Sequence, residues 1–172
     1  MAIYALGDLT PSIHPDAFVH PDAVIIGNVT IGQFSSIWPC AVLRGDSNYI
    51  YIGDRTSIQD GGVIHVTHTL PTHIGSDCTI GHNAHLEGCQ VLDGALVGSG
   101  ALVHHEAVIE SGALVGAGAV VTHGTVVPEG ALAVGVPAVI KLGRADASVL
   151  EYSVKTYVAN AQNYAKNLRR ID

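Results

Sequence analysis

Arg44, His65, Glu87 and His104 each stand directly after an aliphatic residue, and Asp60 and His82 each stand two places after one. Zinc takes imidazole nitrogen and carboxylate oxygen at about 2.0–2.2 Å. A His held beside a Glu is therefore half of a metal site, provided the fold stacks the two. Whether it does depends on the frame that carries them.

That frame has a period of six. An aliphatic residue returns at Ile13, Val19, Ile25, Ile31, Ile37 and Leu43, and again at Val91, Val97, Val103, Ile109, Val115, Val121 and Val127. Four places after each comes a small residue, as at Ala23, Ser35, Ala41, Ala95, Ala101 and Ala113, and the places between are mostly polar or Gly. Two inward positions in every six is the pattern of a parallel β-helix, whose short strands stack coil on coil. The frame is broken three times: Tyr49-Ile50-Tyr51 adds three residues, Val66 to His73 adds four, and Leu86 to Val91 is one short. Insertions in a solenoid emerge on one face.

With three hexads to a coil, residues three hexads apart lie above one another at about 4.8 Å. Leu43, Ile64, Leu86 and Val103 then share a column, so Arg44, His65, Glu87 and His104 form a second column pointing outward. Ile58 and Ile80 share another, carrying Asp60 and His82. His65 and Glu87 become neighbours that one ion could bridge, and His104 is placed to hydrogen-bond Glu87. His82 is on a different side of the prism, so only a second chain can bring it to that ion. Three-fold packing would make three such shared sites. Outward His and Glu on a repeat surface are commonly just solvated; the frame breaks beside His65 and Glu87 mark these two out. His14, His20, His73, His105 and His123 are read as surface residues.

The 172 residues divide into a lead-in at 1–12, a β-helix at 13–138 and a C-terminal helix at 144–169, all one domain. In the last, Val149, Tyr152, Val154, Tyr157, Val158, Ala161 and Tyr164 fall near helical spacing. Their stripe packs either on the outside of the coil or across a subunit boundary. A formal charge of −7 and only eight Lys and Arg argue against nucleic acid or an anionic membrane as the main partner, since either would want a basic face. No leader pattern or bilayer-length apolar run is present, so a cytoplasmic protein is expected. Three scattered Cys make no disulfide framework, and Cys78 fills an inward slot.

Leu43-Arg44-Gly45-Asp46, Ile58-Gln59-Asp60-Gly61-Gly62-Val63-Ile64-His65, Ile80-Gly81-His82-Asn83-Ala84 and Gly88-Cys89 together resemble the γ-class carbonic anhydrases and carbonic-anhydrase-like hexapeptide proteins. The match extends to the Gly135-Val136-Pro137-Ala138 exit and the helix. The resemblance implies a left-handed β-helix, a homotrimer and a divalent metal at each subunit boundary, Zn2+ or another such as Fe2+ or Co2+. It implies that His65 and His82 are ligands, that Arg44 and Asp46 form an intersubunit ion pair, and that Gln59 and Asp60 line the pocket. The family's third ligand is a His, and Glu87 occupies that place here, with His85 two residues earlier as the alternative third ligand. The family's best-studied members carry an acidic loop with a proton-shuttling Glu, whereas Val66 to His73 holds no carboxylate. His68 on that insertion is the candidate for proton export.

Such a site implies reversible hydration of CO2 to bicarbonate by metal-bound hydroxide, with Gln59 orienting hydroxide or substrate. An anionic Glu87 gives more charge to the metal than imidazole would, which should raise the pKa of bound water and slow hydration at neutral pH. Two other readings remain open: a metal-dependent hydrolase or thioesterase on a small acyl substrate, and a non-catalytic trimeric metal-bound scaffold. A hexapeptide acyltransferase would need a site for a long cofactor, for which no separate feature appears.

Overall fold

An aliphatic side chain every six residues, followed by a small one, can be buried only if each hexad supplies one short side of a narrow coil. The computed structural model, which describes residues 2–172, has that form: a left-handed parallel β-helix of about seven turns with one helix along its outside. Ile25, Ile37, Leu43, Ile58, Ile64, Ile80, Leu86 and Val97 are fully enclosed, as are the small residues Ala41, Ala84, Ala101 and Ala113. Each enclosed aliphatic contributes about 1.5–3 kcal/mol. Cys78 lies in the core as expected, with burial pushing its thiol up to about 12.

The predicted columns are present. Leu43 pairs with Ile64, Ile64 with Leu86 and Leu86 with Val103, all parallel, and Ile58 pairs with Ile80. The three sides of the prism carry, in turn, the strands Val63–His65, His85–Glu87 and Leu102–Val103; Thr72–Ile74, Gln90–Val91 and Val108–Ile109; and Ser57–Ile58, Thr79–Ile80 and Leu96–Val97. The long strands Val24–Ile31 and Val42–Ile52 run round the corner between the first two sides.

Three boundaries differ from expectation. The lead-in is not separate from the coil, because Ala2–Tyr4 pairs in parallel with residues 24–26 and extends the winding. At the other end, Leu132–Val134 pairs antiparallel with Val139–Lys141, so the winding stops before 138 and the chain turns back. The helix spans Ala147–Asn167, starting after Asp146, whose carboxylate accepts from the Ser148 N–H at 3.0 Å and caps it.

The first frame break is also displaced. Ile50 and Tyr51 are not the insertion: they stay in register with Val29 and Thr30, and Ile50 is fully buried. The three extra residues fall within 46–49, which bulge opposite the single residue Asn28, because the interior needs the Ile50 side chain. Gly45 makes this possible, since a Cβ there would come within 2.4 Å of the Asn28 carbonyl oxygen. The bulge carries Asp46 out of the coil and over His65.

The helix lies on the third side of its own chain's prism. Trp38 meets Tyr157 and Tyr164 edge-on, at ring-centre separations of 5.6 and 5.1 Å, and its indole N–H is shared by the Ser36 and Ser57 hydroxyls at 3.0 Å. This fixes which helical side chains reach the corner where His82 stands.

Candidate metal centre

Two clusters of polar side chains result, on two different sides of the prism. The first is built on His65, the last residue of its strand, which the parallel register sets directly between Arg44 and Glu87. His65 Nδ1 is 2.8 Å from Glu87 Oε1, and its Nε2 is 3.2 Å from Asp46 Oδ1. Arg44 pairs with the other oxygen of Asp46. Within the one chain described, this pair joins residues two apart in sequence.

Burial raises the pKa of Asp46, but the hydrogen bonds and charges of Arg44 and His65 outweigh it, so the carboxyl is held below its ordinary value. Glu87 behaves the same way: burial raises it, and His65 and His105 together bring it below the ordinary value. Arg44, Asp46, His65 and Glu87 line an open cleft of about 470 Å3. His68 is exposed at its rim, and its carbonyl accepts from the Asn48 amide at 3.4 Å. A larger cleft of about 690 Å3 runs between the helix and the coil, and none of the candidate residues lines it.

The partner of Glu87 one coil further on is His105, not His104. Its Nε2 lies 3.4 Å from Glu87 Oε2, and His85 Nε2 lies 3.6 Å from the same oxygen. The short hexad after Leu86 explains the change. Gly88 turns the corner with φ +60, and the His105 ring sits 3.3 Å from where its Cβ would be. Any side chain at that position would both strain the backbone and displace the ring.

The second cluster is on the helix-bearing side. His82 Nδ1 is 2.9 Å from Asp60 Oδ2, one coil below it, and its Nε2 is 3.4 Å from the Tyr157 hydroxyl. Gln59 is buried there, beside Tyr157 rather than beside His65. Burial and the charge of Asp60 raise the Tyr157 pKa, and a hydrogen bond with Gln59 only partly offsets them. Tyr157 belongs to the helical stripe of the sequence, and nothing in that spacing distinguishes it from its neighbours. The residues missed by sequence reasoning are therefore Tyr157 and His105.

One chain thus brings His65 to Glu87 and Asp60 to His82, but it does not bring His65 to His82. Among the described residues, no three His, Cys, Asp or Glu side chains of one chain converge on a metal position. The donor chemistry nevertheless fits a divalent metal. A neutral imidazole donates from one ring nitrogen only, so of the two carboxylates facing His65 one accepts its N–H and the other faces a nitrogen lone pair suited to a cation. His82 gives Nδ1–H to Asp60 and keeps Nε2 as its donor atom, the arrangement usual for a ligating His.

A family model described as bacterial transferase hexapeptide (six repeats) matches residues 10–45 and 71–105. A Methanocaldococcus jannaschii protein named "Probable carbonic anhydrase" is 45% identical over 84% of this chain and 87% of its own length. "Gamma carbonic anhydrase 2, mitochondrial" of Arabidopsis thaliana is 42% identical over 92% of this chain, which spans 60% of the plant protein. Among solved structures, a hexapeptide transferase family protein from Anaplasma phagocytophilum superposes with a TM-score of 0.90 at 36% identity, covering 95% of this chain and 98% of that one.

Proposed function

The chain belongs to the family of γ-class carbonic anhydrases and carbonic-anhydrase-like hexapeptide proteins, and from that premise we propose that it hydrates CO2 reversibly at metal sites shared between the chains of a homotrimer. The observation that carries this reading is the division of the donors. His65 and His82 stand on different sides of the prism, and each has Nδ1 tied to a carboxylate of an adjacent coil, at 2.8 and 2.9 Å. A neighbouring prism laid side against side would bring one chain's His82 to another's His65, with a carboxylate beside them.

A divalent metal held there, Zn2+ or another such as Fe2+ or Co2+, would lower the pKa of a bound water far enough to supply hydroxide for attack on CO2. The chain's own residues do the rest. Asp60 fixes the ring plane and the protonated nitrogen of His82. Tyr157 places a hydroxyl 3.4 Å from His82 Nε2, on the helix side. Asp46, paired with Arg44, sets a carboxylate oxygen 3.2 Å from His65 Nε2. His68, exposed at the cleft rim, is the residue we assign to pass a proton to solvent.

The test is stopped-flow CO2 hydration by protein of measured metal content. The expected result is hydration that scales with metal occupancy and is lost in His65→Ala and His82→Ala alike. Metal-loaded protein that hydrates CO2 no faster than buffer would overturn the reading.

A further inference from the structure

Glu87 occupies the column position from which a third ligand would reach the metal, yet its geometry is that of a hydrogen-bond acceptor. Two ligands of one zinc ion, each at about 2.0–2.2 Å and near a tetrahedral angle, lie more than about 3.2 Å apart. His65 Nδ1 and Glu87 Oε1 are 2.8 Å apart, which is the length of an N–H···O bond to a charged acceptor. The opposite nitrogen, Nε2, points away from Glu87 toward Asp46 Oδ1 at 3.2 Å. The second oxygen of Glu87 is already flanked by His105 at 3.4 Å and His85 at 3.6 Å. His82 shares the Nδ1 half of this pattern, with Asp60 at Nδ1, while its Nε2 faces the Tyr157 hydroxyl and no carboxylate.

We propose that Glu87 is the positioning residue of His65, accepting its Nδ1–H so that Nε2 is presented to the metal, and is not itself a metal ligand. Glu87 then stands to His65 as Asp60 stands to His82. The charge that Glu87 would have given the metal stays one atom shell away. The proposal rests on the metal-site reading above.

It is tested by titrating metal-free wild type, Glu87→Gln and Glu87→Ala with Co2+, following both affinity and the visible spectrum of the bound ion. The Gln side chain keeps an oxygen that can accept from Nδ1–H but lacks the anionic oxygen that a ligand would supply. The expected result is that Glu87→Gln binds Co2+ within about tenfold of wild type. Glu87→Ala should bind about 10–100-fold more weakly, the usual cost of losing a group that orients a ligand. Both variants should show the wild-type band positions and intensities, since the ligand set has not changed. A Glu87→Gln protein that melts as wild type does but loses its Co2+, or whose spectrum shifts to another coordination, would overturn the proposal and leave the metal site standing. Wild type that takes up no Co2+ at all would overturn the metal site and this proposal with it.

Discussion

His82 Nδ1 lies 2.9 Å from Asp60 Oδ2 across one turn of the coil, in the register that pairs Ile80 with Ile58. The contact follows directly from the six-residue period, because both residues stand two places beyond a paired aliphatic. Asp60→Ala should keep the fold and weaken metal binding about 10–100-fold, since nothing then accepts from Nδ1–H to hold His82 in one tautomer. Isothermal titration of metal-free protein with Zn2+ measures this. Unchanged affinity would remove Asp60 from the account.

Ala101 is fully enclosed, stacked between the Ala84 and Ala119 slots of neighbouring coils. Ala101→Leu should cost about 1–3 kcal/mol or more, because the narrow interior has no space for three further carbons. Thermal unfolding checks this, and a variant as stable as wild type would show that the slot is not the rigid interior described.

The acid side of the stability profile should report on the His65 cluster. Asp46 and Glu87 have folded-state pKa values below their ordinary 3.8 and 4.5, despite burial, because Arg44, His65 and His105 hold the charged forms. A group lowered in this way contributes stability above its unfolded value and loses that contribution as pH falls through its folded value. Metal-free wild type should therefore lose stability below about pH 4.5, and Glu87→Gln should lose less over the same interval. Equal slopes for the two proteins in a series of melts from pH 6 to 3 would contradict the assignment for Glu87.

How far the site is legible in the sequence depends on what positions each residue. His65 opposite Glu87, and Asp60 below His82, can be counted from hexads alone, because their neighbours are set by coil register. Tyr157 cannot, since it reaches His82 only through the packing of the helix on Trp38, which is tertiary. His105 replaces His104 beside Glu87 because the shortened hexad leaves Gly88 bare, and a count of periods does not foresee which ring fills the space. The place of Asp46 depends on Ile50 claiming a core slot, which moves the start of the insertion three positions upstream, from residue 49 to residue 46.

The claim that one site draws on two chains is tested most directly by mixing His65→Ala and His82→Ala proteins. Each variant alone lacks one half of every site and should hold little metal. In a trimer containing both, one boundary joins an intact His65 to an intact His82 from the neighbouring chain. The two variants, unfolded and refolded together or co-expressed, should therefore recover about one metal per mixed trimer, with CO2 hydration returning in proportion. Mixed trimers that stay as metal-free as their parents, or a His82→Ala protein that retains its full metal alone, would contradict a site shared between chains.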